Sequence, residues 1–413
     1  MIIPYADRMS RVQPSAIREL LRLGDDPEII SFGGGYPDRT LFPIKELHGI
    51  FDALLIEDNA NALQYTASNG LPRLRTQIAE RLTRGGTPCT ADDVLIIQGG
   101  QQGLDLTAKL VVDPGDVIIT ENPTFLGALI AFNPCEPAYA AVSMDDDGMD
   151  MDDLERVLHD HPRATMIYTV PDFQNPTGIT LSLPRRKRLI ELANTYGVLV
   201  VEDSPYRELR YAGEHLPTLK SLDTEGRVVH LGSFSKILAP GMRLGWAVAS
   251  PEILDKLTLL KLAADTQSST LNMAATSAYL SDYDIDAHIA RARPVYRHKR
   301  DLMLQTIADT FPDHIGFTEP DGGLFTWLTF PEGFDAASFM RDHLLPKAKV
   351  AYVPGATFFP VMPQPHHARL SYSGVPDERL VRGVTEMAKL LHSVLKSPPS
   401  RGIRPGSVVP LVR

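Results

Sequence analysis

Cysteine is scarce in this chain of 413 residues: only Cys89 and Cys135, far apart. That excludes a disulfide framework, a Cys-x-x-Cys redox pair and a thiolate metal site. No metal is expected. Two reduced, buried or half-buried thiols and a cytoplasmic location are the expectation. No apolar run approaches the roughly 20 residues that a membrane helix needs. The opening Met1-Ile2-Ile3-Pro4-Tyr5-Ala6-Asp7-Arg8 lacks the apolar region of a signal peptide. Basic charge is also in short supply. Forty-one Lys and Arg against 51 Asp and Glu leave a net charge of −10. This argues against a general nucleic-acid or anionic-membrane surface. Small anions remain eligible ligands, because local arginines decide that. No internal repeat is visible. What is present is ordinary for a globular protein: 43% hydrophobic residues, enough to bury a large core and to fill two domains.

From about residue 90 to 250, short apolar runs alternate with helix-like segments. The runs are Val94-Leu95-Ile96-Ile97, Val117-Ile118-Ile119, Met166-Ile167-Tyr168-Thr169-Val170, Val198-Leu199-Val200-Val201 and Val228-Val229-His230-Leu231. Continuous β-branched runs suit a sheet buried on both faces, and the alternation predicts an α/β layer with a mostly parallel sheet. Ahead of it lie a predicted helix over 14–23 and a short strand, Ile29-Ile30-Ser31-Phe32, running into Gly33-Gly34-Gly35. Beyond residue 285 the pattern changes to a long helix over 286–310 and a strand-rich segment around Leu324-Phe325-Thr326-Trp327-Leu328. That predicts a second, smaller α+β unit.

Polar, glycine-rich segments follow the predicted strands. In open α/β sheets ligands bind beyond the carboxyl ends of the strands. One such segment is Gly232-Ser233-Phe234-Ser235-Lys236, with Arg243 seven residues on. Its two hydroxyls and guanidinium can bind a phosphate dianion, and its amine can form a Schiff base with an aldehyde. Gly99-Gly100-Gln101-Gln102 opens a helix, whose first N–H groups suit phosphate. Asp203 ends a buried run and could keep a pyridine nitrogen protonated, or simply cap a helix. Asn175 (in Asn175-Pro176-Thr177-Gly178) and Tyr206 could donate to a ring oxygen, although that tetrad also makes an ordinary turn. Phe125 offers a ring face, or a core residue. Arg369, in Ala368-Arg369-Leu370, could grip a carboxylate bidentately, or form a surface ion pair.

Taken in order, these residues resemble a known set. The chain is similar to the fold type I, pyridoxal-phosphate-dependent class I/II aminotransferases. It most resembles the branch of 2-aminoadipate and broad-specificity amino-acid aminotransferases, which MocR-type regulators share in their aminotransferase-like half. The resemblance runs from about Ile29 to about Leu395. It implies a large domain with a mostly parallel seven-stranded sheet between helices, and a smaller α+β domain. The expected division is 1–48 for an N-terminal helix and arm belonging to the small domain, 49–285 for the cofactor-binding domain, 286–396 for the C-terminal small domain, and 397–413 for a disordered tail.

By the same resemblance, Lys236 is the Schiff-base lysine, Asp203 pairs with the pyridinium nitrogen, and Asn175 and Tyr206 meet the ring oxygen. Ser233, Ser235 and Arg243 hold the phosphate with Gly99, Gly100 and Gln101, and Phe125 covers the ring. Arg369 grips the substrate α-carboxylate, which the backbone at Gly34 and Gly35 also meets. Tyr65 resembles a tyrosine that reaches the phosphate from a neighbouring subunit, which implies a homodimer. Arg18 resembles a mobile arginine that meets acidic side chains, with a solvated helix face as its alternative. The implied activity is amino-group transfer between an L-amino acid and a 2-oxo acid, with 2-oxoglutarate as acceptor. Two departures stand out. Gly100 stands where the phosphate loop usually carries a serine, and Phe125 stands where this branch often has tyrosine. A β-lyase, a decarboxylating transaminase and a MocR-like effector-binding module are the competing readings.

Overall fold

A computed structural model describes residues 4–12, 26–57 and 60–396. The predicted helix over 14–23, with Arg18, and the segment 397–413 lie outside the described residues. The strands are β1 (Ile30–Ser31), β2 (Val94–Ile97), β3 (Val117–Asn122), β4 (Ala138–Asp145), β5 (Gly148–Met149), β6 (Ala164–Thr169), β7 (Leu199–Asp203), β8 (Val228–Ser233) and β9 (Gly245–Val248). After them come β10 (Gly316–Phe317), β11 (Phe325–Thr329), β12 (Val350–Ala351), β13 (Val353–Pro354) and β14 (His367–Ser371).

The five apolar runs all form strands of one sheet, in the order β2-β9-β8-β7-β6-β3-β4-β5. Strands β4, β3, β6, β7 and β8 pair in parallel, while β9 runs antiparallel between β8 and β2. The sheet has an eighth strand beyond the seven expected. It is the two-residue β5, which turns back antiparallel on β4 at the edge. Alternate residues of each central strand enter different cores. Ile118, Met166, Val201 and Val229 pack in one cluster, and Ile119, Ile167, Val200 and Val228 in another. Both faces are therefore covered, which is why these strands read as unbroken apolar runs. Three helices matter for the site: α1 (Gly100–Val111) after β2, α2 (Leu126–Phe132) after β3, and the long α3 (Ile285–Thr310).

A second, antiparallel sheet has the order β10-β11-β14-β13. It shares a core with α3 and the final helix, through Met303, Ile307, Leu328, Leu370, Leu380 and Leu391. The N-terminal segment joins this region, since β1 pairs in parallel with β12 and Phe32 lies in the same core. Lys299 of α3 pins the following loop, reaching Asp38 at 3.2 Å and the Val375 carbonyl at 2.7 Å.

Candidate active site

The carboxyl ends of β2, β3, β6, β7 and β8 face one cavity of ≈ 390 Å³. Arg369 and Phe325, from β14 and β11, and Gly33 and Gly35, from the N-terminal segment, close it from the other side. Of the sequence candidates, Gly35, Gly100, Gln101, Phe125, Asn175, Asp203, Tyr206, Ser233, Ser235, Lys236, Arg243 and Arg369 all line it. A separate cavity of ≈ 250 Å³ contains Arg81, Arg207, Arg293 and His230 but none of these candidates. Three of its four arginines are already engaged: Arg81 by Glu208 and Asp286, Arg207 by Asp172, and Arg293 by the Glu208 carbonyl.

Lys236 follows the end of β8, and its Nζ donates to the Gly35 carbonyl at 2.7 Å. Burial, then the nearby Arg369 and Arg243 charges, lower its pKa to about 8. Asp203, the last residue of β7, is 5% exposed and caps no helix. Its Oδ2 accepts from Tyr168 Oη at 3.0 Å. Burial pushes its pKa up to about 6, against the pull of that hydrogen bond. The Tyr206 phenol is pushed up to about 12 by burial, so it stays protonated at neutral pH. It accepts from Asn175 Nδ2 at 3.3 Å.

Arg369 is 3% exposed and lies 4.3 Å above the Phe325 ring. Its Nη1 donates to Asn175 Oδ1 at 2.8 Å and its Nη2 to the Gly33 carbonyl at 2.6 Å, while Nε has no partner. Burial lowers its pKa to about 10, and no carboxylate among the described residues pairs with it. A buried guanidinium held only by neutral acceptors is well suited to an entering carboxylate.

The opposite end of the cavity is rich in donors. Gly99, at φ +75°, caps α1, whose first two residues, Gly100 and Gln101, line the cavity. That φ favours glycine, and a Cβ at Gly99 would lie 3.0 Å from Arg243 Nη2. Arg243 itself adopts φ +52° and reaches the Gln98 carbonyl at 3.2 Å. Ser233 Oγ accepts from the Ser235 amide at 3.1 Å. Gln101 Nε2 donates to the Gly127 carbonyl at 2.7 Å, tying α1 to α2.

The chain matches the family model for aminotransferase class I and II over residues 39–386. The chain belongs to that family. It is 38% identical over 397 residues to the aromatic-amino-acid aminotransferase 1 of Thermococcus litoralis, covering 95% of each chain. It is 39% identical to the 2-aminoadipate transaminase of Thermus thermophilus, covering 93% of this chain and 96% of that one. A solved structure of LysN, the α-aminoadipate aminotransferase of Thermus thermophilus, complexed with N-(5′-phosphopyridoxyl)-L-leucine, superposes with a TM-score of 0.88 at 37% identity, covering 95% of this chain and 98% of that one. This aminotransferase therefore transfers amino groups with pyridoxal phosphate as its cofactor.

Four sequence candidates are not among the described residues that line the cavity: Gly99, the N-cap of α1, and Gly34 each adjoin residues that do, and two stand apart. Tyr65 is 81% exposed and does not line the cavity of its own chain. Arg18 lies outside the described residues. Other cavity or supporting residues carried no signal in the sequence. Tyr168 sits within a strand run and reads as core. Glu121 is fully buried near the end of β3, where its carboxylate accepts from Thr169 Oγ1 at 2.5 Å and Gln174 Nε2 at 3.0 Å. It thereby fastens β3, the end of β6 and the Asn175 loop together. Phe325 and the mouth residues Tyr36 and Ile130 also line the cavity. The aromatic richness around Leu324–Trp327 was the only hint of Phe325.

Proposed function

We propose that this cavity holds pyridoxal phosphate and an L-amino acid together, and that Lys236 is the residue joined to the cofactor. The fit supports this reading. Donors cluster at the α1 end, where Gly99, Gly100, Ser233, Ser235 and Arg243 suit a phosphate dianion. At the floor, Asp203 is a buried carboxyl hydrogen-bonded by no cation, which suits a protonated ring nitrogen. Asn175 and Tyr206 suit the ring oxygen, and Phe125 the ring face. Arg369 suits the α-carboxylate, which the Gly34 and Gly35 N–H groups are proposed to meet as well.

When bound, pyridoxal phosphate supplies an aldehyde that takes up the amino group and a ring that accepts the electron pair left at Cα. The chain supplies orientation and proton movement. With a pKa of about 8, about a tenth of the Lys236 amine is unprotonated at pH 7. That amine is poised to take the proton from the amino acid's Cα and to return it to the cofactor's aldehyde carbon, two atoms along, as base and then acid. Arg369 fixes the carboxylate, so that the Cα–H bond has a single orientation. Water then releases the carbon skeleton as a 2-oxo acid, supplying its new carbonyl oxygen, while the amino group stays with the cofactor. A second 2-oxo acid, for which we propose 2-oxoglutarate, receives the amino group by the same steps reversed.

The substrate end is largely apolar, with Tyr36, Phe125, Ile130 and Phe325. This favours aromatic and large aliphatic side chains. Activity on glutamate or 2-aminoadipate rests on Arg18. Tyr65, exposed and remote from its own cavity, is proposed to complete the phosphate site of a second copy in a homodimer.

The single observation that carries the reading is that the Lys236 amine shares one cavity with Arg369 and Asp203. The test is a half-reaction screen. Individual amino acids are added to the cofactor-loaded protein and loss of its visible absorbance is followed. Phenylalanine should react, while Lys236→Ala should slow the reaction by at least about 10³-fold. Borohydride treatment should leave a pyridoxyl mass on the Lys236 peptide. A pyridoxyl mass elsewhere, or wild-type rates in the variant, would refute the assignment.

A further inference from the structure

Asp203 is held by a side chain that itself lines no part of the cavity. Tyr168 lies on β6, next to β7, in register with Val201. It is fully buried, and its ring packs edge-on against Phe132 at 5.5 Å. Its hydroxyl donates to Asp203 Oδ2 at 3.0 Å. The other oxygen, Oδ1, points towards the start of α1: a Cβ added at Gly100 would lie 3.7 Å from it. Gly100 and Asp203 both line the cavity. The two carboxylate oxygens are therefore divided, one fixed within the protein and one on the Gly100 side.

We propose that Tyr168 is a positioning residue for the cofactor: its hydroxyl anchors Oδ2 of Asp203 and so aims Oδ1 at the ring nitrogen. The inference rests on the reading of Asp203 given above. Two physical points support it. A carboxylate with one oxygen anchored keeps few rotamers, so the charge meets the ring nitrogen in one geometry. A hydrogen bond donated to the ionised form also favours that form, and an ionised Asp203 is what holds a proton on the ring. The donor itself stays protonated, because burial and then the nearby Asp203 and Glu121 charges push the Tyr168 phenol well above its ordinary range. The bland alternative is a core tyrosine whose hydroxyl merely finds the nearest acceptor. Tyr168→Phe separates the two, since it keeps the ring and its packing on Phe132 and removes only the donor.

The experiment uses cofactor-loaded wild type, Tyr168→Phe, Asp203→Asn and the double variant. With less positive charge held on the ring nitrogen, a second proton on the cofactor is repelled less. The pH midpoint of the holoenzyme's visible absorbance should therefore rise by about half a unit in Tyr168→Phe. Its cofactor dissociation constant should increase about fivefold and its kcat fall about tenfold, with KM for phenylalanine changing less than about twofold. In the Asp203→Asn background, Tyr168→Phe should leave the midpoint unmoved, because the hydroxyl acts through the carboxylate. A wild-type midpoint and cofactor affinity in Tyr168→Phe would overturn the proposal, even if the thermal unfolding temperature fell. So would an equal further shift in the Asp203→Asn background. A wild-type protein that develops no cofactor spectrum would instead remove the reading of Asp203, and this inference with it.

Discussion

A lysine amine that is fully charged cannot take a proton, and one too weakly basic gains little by taking it. Lys236 lies between these limits because burial and two arginines work against its ammonium form. Gly100 is the residue at which the phosphate end departs most from the resembled family. A side chain there meets only Asp203 Oδ1, at an ordinary 3.7 Å, and Gly100 has no left-handed backbone to protect. Gly100→Ser is therefore expected to fold normally and to add one donor near the proposed phosphate position. Equilibrium dialysis should give a dissociation constant for pyridoxal phosphate about fivefold lower, the worth of one net hydrogen bond. A weaker affinity would place the phosphate elsewhere. Residues such as Lys236, Asn175 and Arg243 were legible in the sequence because they follow strand ends in polar, glycine-bearing segments. Tyr168 and Glu121 were not, since each belongs to a strand and a strand interior reads as core whatever its polar tip touches. Gly33 gave no warning that its carbonyl would meet Arg369, 336 residues away.

Among the elements, the parallel strands matter most because they bring carboxyl groups to one edge of the sheet. Glu121 of β3 and Asp203 of β7 are both buried there, and burial raises their pKa values from 4.5 to about 7 and from 3.8 to about 6. A carboxyl whose folded pKa is raised binds its proton more tightly in the folded chain. It therefore costs stability as pH rises from its unfolded value to its folded one. His215 and His367, depressed to about 4 chiefly by burial, pull the opposite way over part of that range. The useful measurement is thus a difference. Urea unfolding of cofactor-free wild type and Glu121→Gln, from pH 4 to pH 8, should show the variant gaining on wild type between about pH 4.5 and pH 7, then running parallel. A pH-independent difference would mean that Glu121 titrates normally. The positions of these strands were well marked in the sequence. The two-residue β5 was not, because two residues form no pattern.

At the scale of the whole molecule, the site is assembled from parts far apart in the chain. The large sheet gives the lysine and aspartate, the small sheet the arginine, and the N-terminal segment the two glycine carbonyls. Tyr65, proposed above to complete the phosphate end of a second copy, is next to Thr66, whose amide donates to Gln267 Oε1 at 2.5 Å. A hybrid tests whether a second copy supplies it. One chain carries Tyr65→Ala and the other Lys236→Ala, with different tags. If Tyr65 acts across the interface, one of the hybrid's two sites pairs an intact lysine with an intact tyrosine, and half the sites should bind cofactor as wild type does. If none does, or if the protein sediments as a monomer, the dimeric site is wrong. The two sheets were foreseeable from the change of pattern near residue 285. Their meeting at one guanidinium was not, because nothing local in Ala368-Arg369-Leu370 says what lies opposite.

That guanidinium has a practical consequence. Arg369 is a cation shut away with backbone and amide oxygens for company and one nitrogen left idle. It discriminates by charge and shape before it discriminates by identity, so acetate, citrate or any other small organic acid in a buffer competes for the same berth. Affinities for amino acids measured in such buffers will come out too weak, and a buffer free of both carboxylates and primary amines is the proper medium for ranking this enzyme's substrates.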